Sequence, residues 1–338
     1  MTNPCLFGEM DERGITAVWE VTKICQLRCP HCCSDSGESQ QESIGNCLNQ
    51  EEAFKILDIL NNNNVRVLYI SGGEPLLWEH LPSLLQRANS YGIDCCVATS
   101  GYVPNKNREK LRNLDIYAFH VSLDSWNAQN HDNFRGVTGA FERALDFISF
   151  AKNMGTKVVT STMISDDLIE HLDEFYQVTA KQGVDRSVLN FFVPLGRASS
   201  LQSDILSASE RAKITKYIFE KAKLHNVTAT VNRLHSGGIG LEQCPAGRKL
   251  VFINASGKVS PCSWIAKMWP KFSVDISETI FPATLIDELD SDIFDLTKSK
   301  CYDCKHKTDC GYGCPIIARF DEKGFDTLCN VDGDVYEI

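Results

Sequence analysis

The chain has 338 residues, a formal charge of −10 and fifteen cysteines. Its length supports one large α/β unit plus a smaller appendage with a substantial core. The acidic balance disfavours generic nucleic-acid binding, which needs clustered Lys and Arg. The cysteines are too sparse for a small secreted disulfide scaffold and fall in metal-ligand spacings, so a reducing compartment is expected. Residues 1–14 mix Asp11, Glu12 and Arg13 with polar residues and offer no apolar signal core, and no stretch approaches the ~20 apolar residues of a membrane span. The expectation is a cytoplasmic protein with neither nucleic-acid nor membrane partners.

From about residue 16, short apolar runs alternate with longer amphipathic ones, as repeated βα units around a parallel sheet require. Ala17-Val18-Trp19-Glu20-Val21 reads as the first strand and leads into a cysteine loop. Glu51 to Leu60 has helical spacing, with Ala53, Phe54, Ile56, Leu57 and Leu60 apolar, and Asn61 to Asn64 reads as the turn that ends it. Further strands are predicted at 65–70, 94–98, 117–123, 157–164 and 187–193, with helices near 79–90, 105–113, 139–153, 167–181 and 209–224. Six such units suggest an incomplete barrel, because a closed eight-unit barrel needs about 250 residues. Around residues 226–243 the alternation stops. Residues 249–260 then read as a hairpin turning at Asn254-Ala255-Ser256-Gly257, and cysteines dominate the remainder.

The loop after the first strand holds Cys25, Cys29 and Cys32 within eight residues. Three thiolates grip three corners of one 4Fe-4S cubane, whereas a closed site needs a fourth. The open iron is then free to bind a substrate or cofactor and pass it an electron. A zinc site and buried reduced thiols are the alternatives.

The spacing resembles the C-x-x-x-C-x-x-C signature of the radical S-adenosylmethionine (SAM) enzymes. The resemblance implies a partial (β/α)6 barrel over roughly residues 15–225, with SAM chelating the open iron through its amino and carboxylate groups. One-electron reduction would then yield methionine and a 5'-deoxyadenosyl radical that abstracts a hydrogen atom from the substrate. It also implies a flavodoxin or ferredoxin-type electron donor.

Other segments carry the same resemblance. Ser71-Gly72-Gly73-Glu74-Pro75 follows the second strand and resembles the family's GGE motif. There the glycines let backbone approach SAM while Glu74 helps hold its ammonium; Gly-Gly after a strand is also a common tight turn. Val121-Ser122-Leu123-Asp124 resembles the ribose-contacting segment, with Ser122 the expected contact. Arg135 stands where relatives place an arginine on the SAM carboxylate, a role suited to planar guanidinium donors. A helix cap for Asp124 and a surface ion pair for Arg135 are the plainer readings. His31 departs from the aromatic residue usual before the third cysteine, and its ring or backbone is expected over adenine.

The second cysteine set resembles the seven-cysteine SPASM signature: Cys244 and Cys262 flank Gly257, followed by Cys301, Cys304, Cys310, Cys314 and Cys329. The resemblance implies two auxiliary 4Fe-4S clusters beside the SAM-binding one. Cys301, Cys304, Cys310 and Cys329 would close the distal cluster, and Cys244, Cys262 and Cys314 would hold the proximal one, open at one iron or completed by His235, Glu242, Cys5 or Cys47. A zinc ribbon would explain Cys301, Cys304, Cys310 and Cys314 but not the rest. Cys95 and Cys96 read as core residues, and Cys33 abuts a ligand. The domain plan is an extension at 1–14, the barrel at 15–225, a connector at 226–243 and the auxiliary-cluster region at 244–338.

In the related anaerobic sulfatase maturases an acidic residue directly follows the second hairpin cysteine and serves as base. Here Ser263 stands there, which disfavours sulfatase-serine oxidation and leaves the catalytic acid or base unassigned. The leading function is modification of an unactivated carbon of a ribosomally made peptide by crosslinking, oxidation or epimerisation. The short stretch before the barrel instead favours a separate leader-binding protein or a small substrate such as a sugar, nucleoside or amino acid. A non-enzymatic iron-sulfur electron carrier or redox sensor is the reading from another class.

Overall fold

The computed structural model describes residues 14–37, 47–192, 195–198, 208–231, 246–247, 249–268 and 270–276. Strands β1 (Ile15–Thr22), β2 (Val65–Gly72), β3 (Asp94–Thr99), β4 (Ala118–Ser122), β5 (Lys157–Met163), β6 (Arg186–Asn190) and β7 (Ala229–Val231) lie side by side in chain order. All seven are parallel. On the other flank of β1, β8 (Leu250–Ile253) runs parallel to it, and antiparallel β9 (Lys258–Ser260) and β10 (Val274–Asp275) extend the same sheet. A strand order that follows the chain without reversal is that of a barrel wall rather than a doubly wound sheet.

The helices are α1 (Gln50–Asn62), α2 (Leu81–Ser90), α3 (Asn105–Glu109), α4 (Ala128–Arg135), α5 (Ala140–Asn153), α6 (Asp166–Glu170), α7 (Leu172–Lys181), α8 (Ala208–Leu224) and α9 (Ser263–Met268). Among the described residues no helix is long and apolar enough to cross a membrane.

β1 is buried on both faces, as central parallel strands are. Ala17, Trp19 and Val21 join the large core under the helices, whereas Val18 packs with Tyr69, Cys96, Ala118, Leu250 and Phe252 on the inner face. α1 opens with a capping box in which the Asn49 side chain accepts from the Glu52 amide at 3.0 Å and the Asn49 amide donates back to Glu52 at 2.9 Å. Its stripe of Ala53, Ile56, Leu57 and Leu60 is buried, and the turn after it puts Asn64 at φ 60°. α5 contributes Phe141, Ala144, Phe147, Ile148 and Ala151 to the same core.

Several elements differ from the sequence expectation. Residues 229–231, inside the stretch read as a connector, form β7 and pair with β6. The helix expected near 79–90 is present as α2, with Pro82 in its first turn, where no intrahelical donor is lost; a 3-10 turn at Pro75–Leu77 precedes it unforeseen. The run expected over 105–113 shrinks to α3, which buries no residue and so has no stripe to extend it. The run over 167–181 breaks at His171 (φ −115°, ψ 32°), whose ring stacks on Trp126 at 4.9 Å. α4 was not foreseen: it buries only His131, is capped by the Asn127 side chain and ends at Gly136 with φ 75°. The hairpin at 249–260 is present as β8 and β9.

Phe147 is fully buried and meets Phe119 edge-on at 5.1 Å. Phe147→Ala is expected to destabilise the fold by about 3–5 kcal/mol. Chemical denaturation checks this, and an unchanged midpoint would contradict it.

Candidate active site

Parallel-sheet enzymes place chemistry where loops converge at the carboxyl ends of strands. Here the loop after β1 carries Cys25, Cys29 and Cys32 and closes on itself: the Gly37 amide donates to the Lys23 carbonyl at 3.3 Å, and Lys23 Nζ donates to the Ser34 carbonyl at 3.0 Å. The end of β2 braces its root. The Gly73 amide donates to the Thr22 carbonyl at 2.7 Å and the Glu74 amide to the Ile24 carbonyl at 2.8 Å. A Cβ on Gly72 would lie 2.4 Å from the Thr22 carbonyl oxygen, and one on Gly73 would lie 2.2 Å from that of Ile24. The glycines are required because two backbones touch, so their place in the motif has a structural cause here.

A second brace comes from the segment after β6. Arg197 donates from Nε to the Cys29 carbonyl at 3.0 Å and from its amide to the Cys32 carbonyl at 3.1 Å. Its Nη1 meets Asp35 at 3.0 Å. Gly196 (φ 60°) permits this approach, since a Cβ there would lie 2.7 Å from the Cys32 carbonyl oxygen.

Burial pushes the Cys25 thiol up to about 12, against partial relief from the Leu27 amide, and the nearby Glu74 adds to the rise. Burial also raises Cys29, while Arg135 opposes the rise. Such thiols ionise when a cation binds them. Among the described residues no three His, Cys, Asp or Glu side chains are arranged to hold a single metal ion, yet Cys25 senses the charges of Cys29 and Cys32.

Glu74 is fully buried and accepts from Thr99 Oγ1 (2.8 Å), Ser100 Oγ (2.7 Å), the Ser100 amide (2.9 Å) and the Leu76 amide (3.4 Å). Burial raises its pKa, and these donors offset only part of the rise. The four bonds use the acceptor capacity of a carboxylate, so Glu74 ties the β2 loop to the end of β3. A contact to a SAM ammonium would have to displace one of those donors.

Asp124 and Arg135 form a buried pair, with side-chain exposures of 1 % and 12 %. Arg135 Nε donates to Asp124 Oδ2 at 2.6 Å, the Met163 amide donates to Oδ1 at 2.9 Å, and the Asp124 amide donates to His131 Nδ1 at 3.1 Å. Burial alone would raise the Asp124 pKa, but Arg135 and the neighbouring histidines outweigh it and hold the carboxyl below its ordinary value. The pair replaces both plain expectations, since Asp124 caps no helix and Arg135 is not at the surface. Arg135 Nη1 reaches to 4.0 Å from Cys29 Sγ, which joins the pair to the cysteine loop.

His31 stacks on Phe134 with centroids 4.0 Å apart and planes at 19°. Burial, with Arg135 adding to it, lowers its pKa to about 3, so the ring is neutral at physiological pH. Ser122 ends β4 half-buried, in register with Ser161. Cys47 lies at the root of the loop, 3.4 Å from the Thr22 hydroxyl. Cys95 and Cys96 are buried, Cys33 is exposed, and half-buried Cys262 immediately precedes α9. Cys244, Cys301, Cys304, Cys310, Cys314 and Cys329 lie outside the described residues, as do Cys5, His235 and Glu242. Sequence reasoning missed Asp124 as a partner of Arg135, Phe134 beneath His31, Thr99 and Ser100 around Glu74, and Arg197. Only the Leu-Asp after Ser122 and the Gly-Arg pair at 196–197 were visible as signals.

A cysteine loop held at the strand ends of a parallel barrel wall, beside the Asp124–Arg135 pair, is the candidate site of this α/β fold. Residues 19–178 match the model of the Radical SAM superfamily; the chain carries a radical SAM domain and is an enzyme. An AdoMet-dependent heme synthase from Oleidesulfovibrio alaskensis is 26% identical over 270 residues, covering 73% of this chain and 69% of the relative. The mycofactocin maturase MftC of Mycolicibacterium smegmatis is 28% identical over 267 residues, covering 75% and 66%. In structure the chain is similar to Streptococcus suis SuiB bound to S-adenosylmethionine, with a TM-score of 0.77 at 16% identity, covering 94% of this chain and 77% of SuiB. SuiB is also known bound to its precursor peptide SuiA. The electron-carrier alternative is thereby set aside.

Gly73→Ala is expected to push the β2 end off Ile24 and cut iron incorporation at the triad severalfold. Iron and sulfide counting after anaerobic reconstitution checks this, and wild-type iron content would refute the bracing role.

Proposed function

We propose that this enzyme reductively cleaves S-adenosylmethionine and uses the 5'-deoxyadenosyl radical to take a hydrogen atom from a ribosomally made peptide, ending in a crosslink, oxidation or epimerisation. One observation carries the reading: the three-thiol loop is braced from β2 by Gly72 and Gly73 and flanked by the buried Asp124–Arg135 pair. Cys25, Cys29 and Cys32 would hold three irons of a 4Fe-4S cluster, which when bound supplies the electron for cleavage and an open iron for the SAM chelate.

The chain's own groups account for the rest. Arg135 turns both Nε and Nη2 toward Asp124, so Asp124 fixes the plane in which Nη1 and the outer N–H of Nη2 would be offered to a carboxylate. Ser122 offers a hydroxyl at the end of β4 for a ribose, and Gly72 and Gly73 hold the root of the triad loop against β2. The His31–Phe134 stack gives the loop a rigid aromatic face beside the third cysteine. We further assign residues 244–338 to an auxiliary region with two more 4Fe-4S clusters, on Cys244, Cys262 and Cys314 and on Cys301, Cys304, Cys310 and Cys329. A flavodoxin or ferredoxin-type protein would deliver the electron.

The peptide reading rests on the habits of SPASM-type relatives and on a fold shared with SuiB. A second reading, the same radical chemistry on a small molecule, is favoured by the relatives named as heme synthases.

Reconstituted enzyme given SAM and dithionite without air is expected to release 5'-deoxyadenosine, and Cys25→Ala, Cys29→Ala and Cys32→Ala should each abolish it. Intact clusters without that product would overturn the activity. Adding a candidate precursor peptide or an iron porphyrin separates the two readings, because only the true substrate changes mass in step with 5'-deoxyadenosine.

A further inference from the structure

A group of charges outside the SAM-facing set lies against the cysteine loop. Glu20, near the carboxyl end of β1, is buried with 2 % of its side chain exposed, and two ammonium groups meet it. Lys23 Nζ lies 3.3 Å from Oε2 and Lys267 Nζ lies 3.3 Å from Oε1. Ser34, two residues after Cys32, joins all three: its hydroxyl donates to Glu20 at 2.7 Å, and it accepts from Lys267 at its side chain (3.1 Å) and from Lys23 at its carbonyl (3.0 Å). Burial would raise the Glu20 pKa, but Lys267, Lys23 and Ser34 overcome it and hold the carboxyl below its ordinary value. The group therefore contains two cations and one anion.

Lys267 comes from α9, which begins directly after Cys262, so this group also pins the carboxyl-terminal hairpin to the loop. It is close enough to Cys32 and Cys33 for their charges to act on it. Of the other buried groups beside the loop, Asp124 faces Arg135, and Glu74, unchanged in every variant compared below, is held by the neutral donors of Thr99 and Ser100. One uncompensated positive charge in a poorly solvated place acts on a neighbouring anion far more strongly than it would in water. A cubane on three thiolates becomes more negative when it accepts an electron, and cluster potentials follow local charge, hydrogen bonding and exposure.

We propose that the Glu20–Lys23–Lys267 group is an electrostatic positioning site that raises the reduction potential of the cluster on Cys25, Cys29 and Cys32 and so eases electron entry. The inference rests on the cluster assignment given under the proposed function. Lys267 dominates because its side chain is 19 % exposed against 37 % for Lys23, and solvent screens the more exposed charge.

The test compares full-length wild-type protein with Lys267→Met, Lys267→Arg and Lys23→Met, each reconstituted without air. Iron and sulfide are counted, and the electron paramagnetic resonance of the reduced cluster is followed against applied potential. The signal that SAM perturbs identifies the triad. Lys267→Met is expected to move that midpoint to a more negative potential, Lys23→Met to move it less in the same direction, and Lys267→Arg to leave it near wild type. An unchanged midpoint in a fully loaded Lys267→Met protein overturns the proposal, as does a Lys267→Arg shift equal to that of Lys267→Met, which would mark a packing role. Should Lys267→Met load no cluster, Lys23→Met decides, and an unchanged midpoint there is equally fatal. A wild-type protein with no SAM-sensitive signal refutes the cluster assignment itself, and this inference falls with it.

Discussion

Two backbones that touch set the geometry on which the rest of the site depends. Where β2 leaves the sheet, Gly72 and Gly73 lie so close to Thr22 and Ile24 that no side chain fits between them. Their amide contacts fix the point from which the cysteine loop departs. A loop rooted this way leaves the sheet from one fixed point, which limits the conformations open to Cys25, Cys29 and Cys32. Glu74, next in the chain, extends the brace across to β3 through Thr99 and Ser100.

The second layer of control is electrostatic. Burial opposes ionisation of Cys25 and Cys29, so these two thiols resist losing their protons until a cation binds them. Each cation around it faces a carboxylate: Arg135 meets Asp124, Arg197 meets Asp35, and Lys23 and Lys267 share Glu20. A buried charge that loses its partner costs several kcal/mol, roughly 3–5 for a broken buried pair. The pairs therefore hold the loop's surroundings in one arrangement, while the cysteines themselves stay available for ligation.

What the sequence disclosed follows from distance along the chain. The strands were legible because apolar runs buried on both faces stand out, as in Ala17 to Val21, and the triad and Gly-Gly-Glu were legible because each is a contiguous word. α4 was missed because its residues are polar and bury only His131, leaving no stripe to detect. The pairing of Asp124 with Arg135 spans eleven residues and a turn, and Lys267 reaches Ser34 across 233; such contacts leave no periodic trace. His31 lies on Phe134, a neighbour that no local spacing indicates. β7 escaped because three residues are too few to show alternation.

Arg197 adds a consequence in time. Its bond to the Cys29 carbonyl links residues 168 positions apart, and closing so long a loop waits on the strands between them. During synthesis the three ligands emerge from the ribosome early, whereas the arginine that restrains them from outside arrives only after the sixth strand. A nascent chain cut short of that point would display the same cysteines on an unfastened turn, a poorer receptacle for iron than the completed wall provides.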